Sequence, residues 1–382
     1  MVAGIVDPKI VYVSDIVGSK LDLQNTFDEL LYSVVPYYNN SSKAEGFRDN
    51  FNNHHRLIYD SGGFSFLTGK LKGEPDPEKT VQLYKKMGYT SKDLLIQLDL
   101  PPAHFNTIER NFELIETSAN YYFKMAEEIP QVVPVIHGWT VSELRHSLDL
   151  LQNISNDYRA FGCNRVSSTV SFGTYRVTES VLATPVSFDE TVLKHRMNKM
   201  VTKKVIFDRL YNVSQILKDF KVFAMGGSNP NVAHLLFWLG FKTTDGAAWR
   251  LNATWWTIYL PEKGSYSIGK TTRNKKLDEE GEILLANCGC PVCKGLSPAQ
   301  RLEILQAGKS RGFHARAIHN AWCVKQEELI ANDYSCDPDG YTDYLIDRWR
   351  DNRFWKKWFK YMRNRVKKNE IQEDLMIYFK VK

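Results

Sequence analysis

The chain has 382 residues, 43% of them hydrophobic and 25% charged, which is the profile of a folded globular protein and excludes a disordered or collagen-like one. No apolar run approaches the roughly 20 residues of a membrane span, so no membrane partner is expected. Fifty Lys and Arg against 44 Asp and Glu leave a net charge of +6, mild in total but unevenly spread.

The opening stretch, MVAGIVDPKIVYVSDIVGSK, has neither the basic start nor the small-residue cleavage site of a secretory signal, and a cytoplasmic location is expected. A chain of this length accommodates two average domains or one large α/β barrel with an insertion. Within it, Lys9–Asp15 reads as a first strand, β-branched and flanked by polar residues. The polar run Asn39–Asn53 reads as a loop.

Short apolar runs then recur, each ending in glycine or a polar residue of chemical interest. Leu57–Tyr59 leads into Asp60-Ser61-Gly62-Gly63-Phe64, Leu94–Leu98 into Asp99, and Val132–Ile136 into His137-Gly138. Tyr158–Phe161 leads into Gly162-Cys163-Asn164, Val222–Met225 into Gly226-Gly227-Ser228-Asn229-Pro230, and Phe241–Thr244 into Asp245-Gly246. Helical stretches such as Asn106–Glu128 and Ser142–Asn153 lie between them.

Strand, turn, helix, strand at this spacing predicts parallel βαβ units. No Gly-x-Gly-x-x-Gly turn opens the first helix, which weighs against a dinucleotide-binding sheet. The preferred fold is α/β, a closed (β/α)8 barrel forming a single domain over residues 1–382. In such a barrel the C-terminal strand ends make one ring at the active-site face. Asp60, Asp99, His137, Gly162, Gly226 and Asp245 would then share one mouth. Like charges brought together raise at least one pKa, so one carboxylate serves as acid while another stays ionised. That division suits displacement at a glycosidic carbon. The plainer alternative is that strand-end aspartates cap the helices that follow them.

Half of the six cysteines fall in one tight knuckle, Cys288, Cys290 and Cys293 in NCGCPVCKG. Three thiolates leave one place on a tetrahedral zinc ion, and His319 in AIHNAW is the candidate for it, with His314 the competitor nearby. A site closed by four protein ligands is structural. It defines a zinc subdomain over about 275–335.

The C-terminal segment 341–382 is basic and aromatic. Arg348–Lys368 alone holds ten Lys or Arg, one acid and six aromatics. Such interleaving can track phosphates and stack on bases, and Trp355, Trp358 and Phe359 are expected to pack inward. Lys194–Lys204 is a second basic candidate.

These residues carry a resemblance to the tRNA-guanine transglycosylase superfamily, the queuine and archaeosine tRNA-ribosyltransferases. The family's Asp-Ser-Gly-Gly-Phe motif stands at Asp60–Phe64, and its second aspartate matches Asp99. Its Val-Gln-Gly-Gly strand end matches Ile136–Trp139, its Gly-Gly-Leu loop Gly162–Asn164, and its Met-Gly-x-Gly-x-Pro turn Met225–Pro230. Its nucleophile motif matches Asp245–Trp249, and its zinc ligands fall on Cys288, Cys290, Cys293 and His319.

The resemblance implies base exchange, with Asp245 as nucleophile at C1′ and Asp60 as acid/base. Ser61, Gly62, Asp99, His137, Gly138, Gly162, Cys163 and Gly226 would bind the base, with a free 7-deazaguanine as incoming partner. The zinc would be structural.

The departures point away from tRNA. His137 replaces the family's strand-end Gln, Cys163 replaces a glycine, and Ser65 replaces the usual Gln after the first motif. Where bacterial enzymes have a Pro-Thr-Arg run that helps hold the anticodon loop, this chain has Ala247-Ala248-Trp249-Arg250. The chain looks most like the DNA 7-deazaguanine transglycosylases of phages and bacteria, whose phage members act in the host cytoplasm. DNA is favoured over tRNA as partner, with Arg250, Arg353, Lys356, Lys357 and Lys360 as candidate nucleic-acid contacts. Two alternatives stay open: an enzyme acting on tRNA, and a catalytically silent zinc-containing binding or partner subunit. A homodimer stays open under every one of these readings.

Overall fold

The computed structural model describes residues 8–14, 27–67, 71–102, 106–161, 203–269 and 276–368. They divide into two compact units. The first comprises Leu30–Gly226 and the chain from Lys360 on; the second comprises the N-terminal strand and Gly227–Phe359. Both are α/β.

In the first unit, β2 (Glu29–Ser33), β3 (Arg56–Asp60), β4 (Leu94–Ile96) and β5 (Val132–Val133) lie in the order β5-β4-β3-β2. Three further strands, β6 (Val135–Ile136), β7 (Tyr158–Phe161) and β8 (Lys221–Ala224), follow the order β8-β7-β6. The registers β3–β4, β4–β5, β6–β7 and β7–β8 are all parallel. Parallel neighbours need long crossovers, and the helices α1 (Gly63–Leu67), α2 (Pro77–Met87), α3 (Ile108–Glu128), α4 (Val141–Leu150) and α5 (Lys203–Ile216) supply much of that length. The strands are buried on both faces, which is why they read as apolar runs without alternation.

Local chemistry sets the helix ends. Asp76 caps α2 by accepting from Lys79 N–H at 3.1 Å, Pro77 follows at the first turn, and Gly88 ends the helix at φ 76°. Thr140 and Glu143 form a reciprocal capping box at the start of α4. The single expected strand Val132–Ile136 is two short ones because Pro134 between them has no N–H to give the ladder. The expected loop Asn39–Asn53 carries short 3-10 turns, Ser41–Ala44 and Phe47–Asn50.

In the second unit, β1 (Lys9–Ser14) pairs parallel with β9 (Thr243–Gly246), Val11 opposite Asp245 and Tyr12 opposite Gly246. Helices α6 (Pro230–Trp238) and α7 (Ala248–Thr254) precede and follow β9. An antiparallel hairpin comes next, β10 (Thr257–Leu260) with β11 (Gly264–Ser267). Helices α8 (Glu279–Ala286), α9 (Pro298–Leu305), α10 (Lys309–Asp333) and α11 (Pro338–Arg348) complete it, and α12 (Arg353–Lys368) begins in this unit. Among the described residues, no helix is long and apolar enough to cross a membrane.

Candidate functional site

The first unit gathers Asp60, Asp99 and His137. Asp60 is the last residue of β3, and Asp99 lies three residues past β4. Between them the Asp-Ser-Gly-Gly turn is fitted without slack. Ser61 Oγ donates to Gln97 O at 2.9 Å. Gly62 is left-handed at φ 82°, and a Cβ on Gly63 would stand 2.1 Å from Asp99 Oδ1. Only glycine fits at 63, so this glycine is what lets the second carboxylate approach the turn after the first.

Although Asp60 keeps some exposed surface, its carboxyl is held above its usual range. Burial is the main cause and the charge of Asp99 adds to it, while hydrogen bonds from Ser33 and the Gly62 N–H oppose it. His137 is fully buried, with Nε2 2.9 Å from Asp99 Oδ2. The two groups are close but not aligned for a hydrogen bond, since neither ring nitrogen has an aligned partner among the described residues.

The His137 main chain is fixed instead, its N–H donating to Ser147 Oγ at 3.1 Å. A Cβ on Gly138 would meet Leu144 N at 2.6 Å, so the strand end lies flat on the start of α4. Glu143, Gln97 and Arg209 support this site and carry no motif that sequence reasoning could have used. Glu143 accepts from Trp139 N–H at 2.6 Å and from Asn111 Nδ2 at 2.9 Å. Gln97 accepts from Val135 N–H at 2.9 Å. Arg209 donates to Gly138 O at 2.6 Å, with its guanidinium 4.3 Å from the Trp139 ring and 4.6 Å from the Phe161 ring. Gly162 and Cys163 lie outside the described residues.

Asp245 stands in the second unit near the end of β9, buried. Its carbonyl accepts from Ser228 N–H at 3.0 Å. A Cβ on Gly246 would stand 2.4 Å from Ser228 Oγ, and one on Gly227 would meet Leu236 Cδ1 and Thr244 Oγ1, both at 2.4 Å. The glycines of this turn thus let it press against the strand that presents Asp245. Gly226, at φ 91°, closes the first unit. Arg250 sits on α7, part-buried.

The second unit also holds the metal-like knuckle. Cys288, Cys290, Cys293 and His319 are all buried, and their ligand atoms lie within 4.8 Å of one another. His319 Nδ1 is 3.6, 3.4 and 3.8 Å from the three sulfurs. Metal–sulfur bonds of ~2.3 Å and metal–nitrogen bonds of ~2.0 Å at tetrahedral angles require separations of about 3.5–3.8 Å, so the four residues fit a metal ion. His319, and not His314, faces the sulfurs. Its Nε2 is 2.8 Å from Tyr259 O, an interaction that fixes the tautomer leaving Nδ1 for the ion.

Hydrogen bonds from Cys290 and Cys293 favour the thiolate at Cys288, and Cys293 N–H points at the Cys290 sulfur at 3.3 Å. The apolar shell comes partly from the hairpin, through Ile258, Leu260, Tyr266 and Ile268. Asn320 ties that hairpin to α7. It accepts from Tyr259 N–H at 2.8 Å and donates to Trp249 O and Thr257 O at 3.0 Å each.

Helix α12 is sharply two-sided. Trp355, Phe359 and Met362 are buried, and Trp358 is half-buried beneath Lys357. Arg353, Lys356, Lys357, Lys360 and Lys367 are exposed at spacings of three, one, three and seven, which is one helical face. Of the other basic candidate, 194–202 lie outside the described residues, and Lys204 is engaged with Asp208 at 2.7 Å. No protein-family model matches this chain, and no curated protein matches it either.

Proposed function

We propose that the protein is a base-exchange glycosyltransferase that replaces guanine in DNA by a 7-deazaguanine of the preQ0 type, on a (β/α)8 barrel stapled by structural zinc. The observation that carries this reading is the pairing of Asp60 with Asp99. Burial, with the charge of Asp99 adding to it, raises the carboxyl of Asp60 above its usual range, and Asp99 approaches the turn that follows it. A pocket that only bound nucleic acid has no use for two such carboxyls.

In the first half-reaction Asp245 attacks C1′ of the target nucleotide. The C1′–N9 bond breaks, its electron pair goes to the base, and Asp60 protonates the departing guanine. In the second half Asp60, now ionised, takes the N9 proton of the incoming 7-deazaguanine. That nitrogen attacks C1′, and the ester bond to Asp245 breaks. Asp99 accepts from the donor edge of either base, and an analogue without those donors would leave a buried acceptor unpaired. The target nucleotide must leave its stack to be reached.

Zinc is assigned from the ligand set, three thiolates and an imidazole with no open position. DNA is preferred to tRNA because Ala247-Ala248-Trp249 replaces the arginine-bearing run of the tRNA enzymes, and because α12 presents a basic face. The test is exchange of labelled guanine offered with DNA or with tRNA. Label entering DNA is the expected result. Label in tRNA alone would make the protein a tRNA enzyme, and label in neither would make it a silent binding subunit.

A further inference from the structure

Trp255 is the most exposed large hydrophobic side chain among the described residues, at 74%, and Leu251, one turn earlier on the same face of α7, is 57% exposed. Single exposed apolar residues are ordinary. This one is set on a backbone held from every side. Trp255 N–H donates to Asn252 O at 3.0 Å, and Trp256 N–H to Ala253 O at 3.3 Å. Asn252 Nδ2 donates to Tyr259 OH at 2.8 Å.

The next residue, Trp256, is left-handed at φ 56°, a costly conformation for a bulky side chain. It is kept there by packing on both sides. Arg316 lies 4.3 Å from its ring, and a Cβ on Gly269 would stand 2.9 Å from Trp256 Cβ. Arg316 is itself locked by donating to Ala253 O at 2.8 Å and Leu305 O at 2.6 Å. The turn therefore packs one tryptophan and projects the other outward. The ring projects from a fixed turn, so little backbone order is left to lose on binding.

We infer that Trp255 is a stacking platform for an unpaired nucleobase of the bound polynucleotide, flanking the nucleotide that Asp245 attacks. The inference rests on the proposed polynucleotide substrate. Three observations select this occupant. Helix α7 starts two residues after β9 and carries Trp255 about 10 Å from the Asp245 turn, about three stacked base steps. A cation stands on the same helix, Arg250, five residues before Trp255. A flat, amphipathic indole suits a base of any sequence.

The test measures binding of a fluorescent single-stranded DNA oligomer by anisotropy, with wild type, Trp255→Ala and Trp255→Phe, across a salt series. Trp255→Ala should weaken binding about 5- to 100-fold. The slope of log affinity against log salt should not change, because the ring engages no phosphate. Trp255→Phe should recover most of the affinity, and thermal stability should not move in either variant. An oligomer with one abasic site should show a smaller penalty for Trp255→Ala at one position along the strand.

Affinity within twofold of wild type, a weakening that follows the salt slope, or no binding by the wild type would overturn the inference. So would a Trp255→Ala protein that changes from dimer to monomer in light scattering, since the ring would then be covered by a second copy of the chain. Binding is read without turnover. A wild type that binds through Trp255 but exchanges no guanine refutes the proposed reaction and leaves the platform standing.

Discussion

At the residue scale the proposed reaction turns on Asp60. Its folded-state pKa lies above the ordinary 3.8, so ionising it costs stability in the folded protein. That cost is absent at pH well below 3.8, grows as pH rises through the raised value, and is fully present above it. Asp60→Asn should therefore unfold at a higher temperature than wild type at neutral pH, with the gap closing as the two are compared at falling pH. An equal or lower melting temperature at pH 7 would remove the basis for the acid role. The two aspartates of the proposed reaction should also fail differently. Asp245→Asn cannot form a labile ester and should abolish exchange, whereas Asp60→Asn loses proton transfer worth ~10²–10⁴-fold and keeps the nucleophile. Gly63→Ala makes a third case. Its methyl would stand 2.1 Å from Asp99 Oδ1, so it should cost most of the exchange activity while sparing the metal content.

At the element scale helix α10, which carries His319, holds the second unit together by more than that candidate ligand. Glu327 accepts from both Arg348 nitrogens at 2.8 and 2.9 Å, lies 3.0 Å from His234 Nε2, and accepts from Glu262 N–H at 3.0 Å. Burial alone would raise its carboxyl, but Arg348 and His234 together pull it down to about 2. The stabilisation this gives is complete above the ordinary 4.5 and is lost as pH falls from there toward 2. Glu327→Gln leaves Arg348 buried and unpaired, and should cost about 3–5 kcal/mol in chemical denaturation at neutral pH. Cys290→Ser should lower stability along with metal content, because an ion held by these four residues would supply folding free energy. On α12, neutralising Lys356, Lys357 and Lys360 together should flatten the salt slope of DNA binding by up to about one unit for each phosphate no longer neutralised. An unchanged slope would mean that this face is only solvated.

The elements also show where sequence is legible. Strands β3, β4, β7, β8 and β9 each lie within about three residues of the expected runs, because fully buried parallel strands are apolar throughout and end in polar residues. The hairpin β10–β11 was not legible. Its turn uses Glu262 at φ 65° where a reader looks for Asn or Gly. Nor was β2, five residues with no turn signal beside it. The cysteine knuckle was legible because its three thiols fall within six residues. The Glu327 network was not, because its partners His234, Glu262 and Arg348 are scattered over 115 positions and nothing marks them as neighbours.

At the scale of the whole molecule, the described chain is two α/β units. The expected ring of strand ends pools six residues. The structure shows Asp60, Asp99 and His137 together in the first unit, Asp245 buried at its own strand end in the second, and Gly162 outside the described residues. Periodicity finds strand ends, but it does not report which side chains support them, so Arg209, Glu143 and Gln97 appear only in three dimensions. The claim to test is that Asp245 forms a bond to a deoxyribose. The protein is incubated with a guanine-containing DNA oligomer, quenched in denaturant, digested, and mapped by mass spectrometry. Base exchange through Asp245 predicts a peptide containing that residue and carrying the base-free sugar, present in wild type, absent in Asp245→Asn, and diminished when free guanine is added before the quench. Guanine release with no adduct, or an adduct on a residue other than Asp245, would contradict it.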